Sequence, residues 1–127
     1  MARSKVLVVS PTEALHAALA RDLPPTLYSI WDARPGPNVL RAVLSVRPDV
    51  AVVDRIDARP EAAQLEIALL KSFCPDARII ALSGHSSGAD ATVVEQGLFY
   101  YMAAPSDGEL VRVLESAAGS APSAPGG

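Results

Sequence analysis

The sequence predicts an α/β domain in which five parallel strands form an open sheet with helices on both faces. Three runs, at residues 6–9, 50–53 and 79–82, are continuously apolar, as in strands that are buried on both sides. Helix-like apolar periodicity fills the segments between the strands, so strand and helix alternate along the chain. Right-handed crossovers between parallel strands then place helices on both faces of the sheet.

The remaining elements are predicted from weaker patterns. Residues 27–31 and 100–103 mix polar or aromatic residues into apolar runs and suit strands nearer a sheet edge. A helix at residues 87–96 is expected to be the loosest, because Gly88 and β-branched residues lower its helix propensity. The other helices follow from apolar stripes with helical spacing, namely Leu15, Leu19 and Leu23; Val39, Leu40, Val43 and Leu44; Leu65, Leu69 and Phe73, ended by Pro75; and Leu110, Val113, Leu114 and Ala117.

Length and composition suit one compact domain. The chain has 127 residues, half of them apolar, so we assign residues 1–118 to the domain and residues 119–127, rich in Ser, Ala, Pro and Gly, to a flexible tail or linker. A net charge of −3 offers no basic surface for nucleic acid or for a membrane. Cys74 is the sole cysteine, and neither a secretory segment nor a bilayer span is evident, so a cytoplasmic location is expected.

Candidate functional residues follow the predicted strands. Ser10 and Pro11 come after the first strand, Asp54 after the third, Ser83 after the fourth, and Ala104 with Pro105 after the fifth. In an open α/β sheet the functional crevice lies beyond the carboxyl ends of the strands. We therefore expect these positions to converge on one crevice.

The stretches RPDVAVVD, IIALSG and GLFYYMAAP resemble the response-regulator receiver domains of two-component signalling, which are CheY-like, and the resemblance covers residues 4–117. It implies the flavodoxin-like strand order 2-1-3-4-5. It also implies that Asp54 is the phosphoacceptor and that the Ser83 hydroxyl touches the phosphoryl group. Tyr101 would be the aromatic residue whose rotamer reports activation, and Pro105 would follow a cis peptide.

The sequence departs from that family where charge matters most. Ser10 and Pro11 replace the two acidic residues that help to hold Mg²⁺, and Ala104 replaces the lysine before the proline. Phosphoryl transfer to a carboxylate depends on metal and cationic groups that counter the added negative charge. We therefore expect a pseudo-receiver variant with no enzymatic activity and no metal site, in which Mg²⁺ is a cofactor only if Asp54 is phosphorylated.

Several other polar residues are assigned structural roles. Ser10 to Glu13 and Ser106 to Glu109 each match a capping box at a helix start. Glu13 could lend an oxygen to a metal and Arg55 or Arg59 could replace the missing cation, but none occupies the family's position, so neither substitution is expected. Ser83 is not predicted to be a nucleophile, because His16 and His85 have no acid at triad-like positions. Both histidines are interpreted as solvated surface residues, and no zinc-ligand spacing is present. The turn after the first strand also lacks the glycines of a phosphate-binding turn.

The predicted function is a receiver-like signalling module that acts by protein contact without phosphorylation. Phe99, Tyr100 and Tyr101 cluster in the fifth strand, and receiver domains commonly use this strand and its flanking helices, the α4-β5-α5 face, to dimerise or to bind targets. The expected partner is therefore another protein or a second copy of the chain. Two alternatives remain: a phosphorylatable regulator that receives phosphate on Asp54 from a histidine kinase, and a sensor that binds a small ligand in the crevice.

Overall fold

The computed structural model describes residues 3–56, 58–83, 100–103 and 107–119. The described strands are β1 (Ser4–Val9), β2 (Tyr28–Ala33), β3 (Val50–Val53), β4 (Arg78–Ser83) and β5 (Tyr100–Ala103). The described helices are α1 (Ala14–Asp22), α2 (Pro37–Val46), α3 (Pro60–Phe73) and a last helix, Asp107–Gly119, which we call the final helix. None of these helices combines the length and the apolar character needed to cross a bilayer.

All five strands are parallel and lie in the order β2-β1-β3-β4-β5. This confirms the predicted fold class and the strand order implied by the resemblance. The register places Val6 of β1 between Ile30 of β2 and Val50 of β3, so β1 and β3 lie inside the sheet. Strand β2 pairs on one side with β1, and its Trp31, opposite Leu7, is half exposed at that edge.

Alternate residues of the inner strands feed two separate apolar cores. On one face, Leu7, Val9 and Ala51 pack with residues of α2 and α3. On the other face, Val6 and Val8 pack with residues of α1 and the final helix. Because both faces of β1, β3 and β4 are covered, their apolar runs need no polar alternation.

The predicted apolar stripe of α3 is wrong. Leu65 and Phe73 are exposed, and the helix instead buries Ala63, Ile67 and Leu70 against the sheet. Two apolar stripes with helical spacing run along this helix, and the periodicity rule does not distinguish between them. The stripe that contains the small Ala63 packs on β3 and β4, which leaves the bulkier stripe facing outward.

The predicted capping box at the first helix is also wrong. Helix α1 begins at Ala14 with Glu13 as its N-cap residue, and the Glu13 side chain makes no capping hydrogen bond. The Ala14 amide instead donates to the Thr12 hydroxyl over 3.4 Å. Ser10 is fully buried at the end of β1, four residues before the helix. Its hydroxyl accepts a long hydrogen bond of 3.4 Å from the Thr12 amide, within the loop.

Several predictions lie outside the described residues. These are the helix at residues 87–96, the side chains of His85, Phe99, Ala104 and Pro105, and the Ser106 end of the second capping box. The final helix extends to Gly119, where we expected the tail to begin, and residues 120–127 are also outside the described part of the chain.

Candidate functional site at the carboxyl edge of the sheet

The carboxyl ends of β1, β3 and β4 bring three of the expected side chains to one edge of the sheet. Ser10 follows β1, Asp54 follows β3, and Ser83 is the last residue of β4. Main-chain hydrogen bonds continue the sheet past the strand ends, from the Asp54 amide to Val9 oxygen (2.9 Å) and from the Ile56 amide to Leu82 oxygen (3.0 Å). These hydrogen bonds fix the main-chain position from which the Asp54 side chain projects.

The Asp54 carboxylate accepts a hydrogen bond from the buried Ser10, which follows the neighbouring strand β1. The Ser10 hydroxyl donates a hydrogen bond of 2.9 Å to Oδ2 of Asp54. The Asp54 side chain is 17 % exposed, so this carboxylate is only partly hydrated. A hydroxyl donor stabilises the ionised carboxylate without adding charge.

Arg55 brings a cation to the same carboxylate oxygen. Its Nε lies 4.0 Å from Asp54 Oδ2, and its main chain has a φ of 53°, in the left-handed region that a residue with a side chain rarely adopts. The Arg55 side chain is 57 % exposed, so solvent and salt screen this ion pair. Arg55 thus places a partly screened positive charge beside Asp54.

Arg59 acts on the main chain of Asp54 and not on its carboxylate. One terminal nitrogen of Arg59 donates to the Asp54 carbonyl oxygen over 2.7 Å, and the other donates to both carboxylate oxygens of Glu66, at 2.8 and 2.9 Å. Both side chains are largely buried. Arg59 was considered as a substitute cation from the sequence, whereas Glu66 was not identified, because their separation of seven residues lies outside the three- and four-residue spacings that mark neighbours on a helix.

Arg34, which was not identified from the sequence, organises the loop after β1. It donates to the main-chain oxygens of Ser10 and Thr12, at 3.4 Å each, and forms ion pairs with Asp32 (3.0 Å) and Glu13 (3.4 Å). Glu13 is therefore directed toward Arg34, and its side chain is otherwise exposed to solvent. The only sequence feature that pointed to Arg34 was its position just past the carboxyl end of β2.

The remaining expected residues divide between buried and exposed positions. Ser83 is buried, and Tyr101, opposite Ala81, packs partly buried against the core that β1 and β3 share with α2 and α3. Tyr100 is half exposed. His16 was interpreted as solvated, but it is only partly exposed, and its Nε2 lies 3.3 Å from the Ile30 oxygen.

The donor set at this edge does not fit Mg²⁺. Mg²⁺ is usually held by one or two carboxylates with waters and phosphate oxygens, in octahedral geometry. Here the Asp54 carboxylate faces a hydroxyl and a guanidinium at Oδ2, and the carboxylate of Glu13 pairs with Arg34. Ser10 and Pro11, which directly follow β1, supply no carboxylate to this edge.

An open groove lies to one side of this edge. It has a volume of about 400 Å³ and runs between the end of β2 and α2, with a mixed polar and apolar lining of Asp32, Ala33, Arg34, Asn38, Arg41, Ala42 and Ser45. Arg34 is the residue that the groove and the Asp54 region share. The groove does not include Ser10, Asp54 or Ser83, so it differs from the crevice in which we expected a small ligand.

Solved structures share this architecture along nearly the whole chain. A response regulator from Thermotoga maritima aligns with a TM-score of 0.76 at 18% identity, covering 94% of this chain and 100% of that one. The signal receiver domain of a modulated diguanylate cyclase from Desulfovibrio desulfuricans G20 aligns with a TM-score of 0.69 at 23% identity, covering 92% and 94% of the two chains.

A third similar structure is a response regulator from Burkholderia pseudomallei with a phosphorylated aspartic acid, a calcium ion and citrate. It aligns with a TM-score of 0.74 at 26% identity, covering 91% of this chain and 68% of that one. No protein-family model and no curated protein matches the chain by sequence. The resemblance stated from the sequence is thus confirmed at the level of the fold, which is that of the receiver domains.

Proposed function

We propose that this chain is a receiver-like signalling module that regulates other proteins by direct contact, without phosphorylation of Asp54. The observation that carries the proposal is the engagement of the Asp54 carboxylate by Ser10 at 2.9 Å and Arg55 at 4.0 Å. A hydroxyl occupies the position from which a receiver domain supplies a metal-binding carboxylate. The module would therefore keep one conformation at Asp54 whatever the supply of phosphoryl donor.

The physical reason lies in the charge that phosphorylation would add. A phosphoryl group brings further negative charge to a carboxylate, and metal and cationic groups must counter that charge in the transition state. Arg55 is the nearest cation, but its exposed guanidinium is screened by solvent. Arg59 and Arg34 are both committed to carboxylates and main-chain oxygens. None of the three replaces a divalent metal ion in this arrangement.

The direct test is exposure of the purified chain to acetyl phosphate and Mg²⁺, followed by intact mass measurement under conditions that preserve acyl phosphates. The matched control is Asp54→Asn, and a conventional receiver domain serves as the positive control. We expect no added phosphoryl group on the wild-type chain while the positive control is labelled. A labile phosphoryl group that appears on the wild type and is absent from Asp54→Asn would overturn the proposal.

A phosphorylatable regulator is the second candidate. Two observations favour it: Asp54 keeps a partly exposed carboxylate, and the similar Burkholderia structure carries a phosphorylated aspartic acid. In that case a histidine kinase would supply the phosphoryl group to Asp54, with Mg²⁺ as cofactor. Labelling that depends on both Mg²⁺ and Asp54 in the experiment above would select this candidate.

We further propose that partner contact uses the face around β5. Tyr100 is half exposed, whereas Met102, two residues on, is buried among residues of the final helix. A tyrosine combines a large apolar surface with a hydroxyl, the pattern of residues that anchor protein interfaces. Tyr101 lies on the opposite face of the strand and packs against the core, so it would connect this edge of the sheet to that core.

A further inference from the structure

The groove between β2 and α2 has the size of a small-molecule site. Its volume of about 400 Å³ falls in the range of pockets that hold small organic ligands. It includes neither Asp54 nor any residue of β5, so the proposed function does not account for it. The chemistry of a ligand that fits the groove follows from the helix and the strand that form its walls.

One flank of α2 lines the groove with hydrogen-bond donors. Asn38, Arg41 and Ser45 follow each other at spacings of three and four residues, which places their side chains in a row along the helix. All three residues are exposed. Ala42, which is partly buried against the core, gives the groove an apolar floor. A ligand in the groove would therefore meet an amide, a guanidinium and a hydroxyl above an apolar surface.

Arg41 is the groove's available cation. Of the other charged residues in the lining, Arg34 and Asp32 form an ion pair at 3.0 Å. Glu13, which lies outside the groove, also pairs with Arg34, at 3.4 Å. Arg41 makes no hydrogen bond or ion pair with any other residue that the structure describes. The lining therefore favours a ligand with one negative charge.

The shape of the guanidinium selects the kind of anion. Two parallel N–H groups of an arginine donate to both oxygens of a carboxylate, in a planar arrangement that fixes the orientation of the ligand. The Asn38 amide and the Ser45 hydroxyl, on either side of Arg41 in the row, are further donors for the same oxygens. A phosphate monoester carries close to two negative charges, and one of them would lack a partner here. A carboxylate therefore suits this row better.

Trp31 supplies an aromatic surface beside the same groove. Alternate residues of a strand share a face, so Trp31 lies on the same face of β2 as Ala33, about 7 Å along the strand. Ala33 lines the groove and packs with the core beneath α2. Because α2 returns toward the amino end of the sheet, the step from Ala33 to Trp31 runs in the same direction as the row of donors. The half-exposed indole is thus available to an apolar, planar group of a bound ligand.

We propose that the groove between β2 and α2 binds a small aromatic carboxylate. Arg41 holds the carboxylate, with Asn38 and Ser45 as additional donors, and the aromatic ring lies over Ala42 against Trp31. This site uses neither Asp54 nor the face around β5. Its test is therefore independent of the test of the proposed function.

The probe is phenylacetate, which is added to the ¹⁵N-labelled full chain and followed by heteronuclear NMR. Trp31 is the sole tryptophan, so its indole N–H gives one identifiable signal. We expect saturable shifts of that signal and of the α2 amides, with a Kd in the millimolar range or below. Phenylacetamide, which keeps the ring without the charge, and acetate, which keeps the charge without the ring, should each bind roughly tenfold more weakly or worse.

Two substitutions test the assigned contacts. Arg41→Gln should weaken phenylacetate binding by roughly tenfold or more, because it removes the charged donor. Arg112→Gln is the matched control, since it removes an exposed arginine from the final helix, on the other face of the sheet, and it should bind as the wild type does. Trp31→Leu should also weaken binding, as measured on the α2 amides. Circular dichroism of each variant verifies that the fold is retained.

Several results would overturn the proposal. One is the absence of saturable shifts with phenylacetate, and another is equal affinity in the wild type and Arg41→Gln. Binding of phenylacetamide as tight as that of phenylacetate would show that charge is not recognised. Tighter binding of phenyl phosphate than of phenylacetate would show that the groove prefers a phosphate to a carboxylate.

Discussion

Arg59 holds both carboxylate oxygens of Glu66, at 2.8 and 2.9 Å, while its other terminal nitrogen holds the main-chain oxygen of Asp54 at 2.7 Å. One guanidinium thus ties the loop after β3 to the second turn of α3. Both partners of the pair are largely buried. The position of the Asp54 main chain therefore depends on an ion pair that does not include the Asp54 carboxylate.

Removing one partner of that pair should be costly. We expect Glu66→Ala to lower the free energy of unfolding by about 3 kcal/mol, because it leaves the Arg59 guanidinium buried without its counter-charge. The double variant Arg59→Met with Glu66→Leu should lose less, since apolar side chains of similar volume remove both charges together. Urea denaturation monitored by circular dichroism gives both values, and a larger loss in the double variant than in Glu66→Ala would contradict this mechanism.

The Ser10 and Asp54 side chains should be energetically coupled. Ser10→Ala removes a buried hydroxyl donor from a carboxylate, and we expect a loss of about 1.5–3 kcal/mol in the free energy of unfolding. In a double-mutant cycle with Asp54→Ala, the second change should cost less once the first is present. Equal losses from Ser10→Ala in the wild-type and Asp54→Ala backgrounds would show that the hydrogen bond contributes nothing.

Restoring an acid after β1 should make stability depend on Mg²⁺. Ser10→Asp places a second carboxylate next to Asp54, in a fully buried position, so like charges repel unless a cation lies between them. We expect this variant to melt at a lower temperature than the wild type in EDTA and to regain stability when Mg²⁺ is added. Ser10→Asn is the control of similar size, and it should not respond to Mg²⁺.

The free energy of unfolding should fall at alkaline pH, because Cys74 and Tyr28 hold their protons more tightly in the folded chain. Burial raises the pKa of the Cys74 thiol above its ordinary 9.0, and burial with the nearby Glu115 raises the pKa of Tyr28 above 10.0. The unfolded chain therefore releases these protons before the folded chain does, so the free energy of unfolding falls as pH rises above about 9. Below that pH the contribution is fully present.

The measurement is urea denaturation at a series of pH values between about 8 and 11. We expect the decline to be shallower in Cys74→Ala and shallower again when Tyr28→Phe is added. Absolute stability will differ among these variants, so the slope against pH is the quantity to compare. A double variant with the wild-type slope would assign the alkaline loss to other groups.

The sheet could be predicted from the sequence because its strands are buried on both sides. Continuous apolar runs as short as residues 50–53, bounded by polar residues and proline, are typical of buried parallel strands, and the strand order followed from the resemblance. The outer face of α3 was not predictable in the same way, because both of its apolar stripes have helical spacing. What separated them was the close packing of Ala63 on the sheet, which is a tertiary property.

At the site, the sequence placed Ser10 and Asp54 at the ends of adjacent strands, and the structure brings them into contact. The sequence did not show that the Ser10 hydroxyl donates to the Asp54 carboxylate and does not belong to a capping box of α1. The pairings of Arg34 with Asp32 and of Arg59 with Glu66 were also hidden. Long arginine side chains reach partners that depend on how loops and helices pack, and no local pattern encodes that reach.

Trp31 gives this molecule a built-in optical reporter. It is the sole tryptophan of the chain, and it lies half exposed on the edge strand β2, next to residues that line the groove beside α2. Because the indole already contacts water in the native state, its emission should change little in colour when the chain unfolds. A molecule that covers this edge of the sheet would instead shift the emission toward the blue, so occupancy there can be followed without any label.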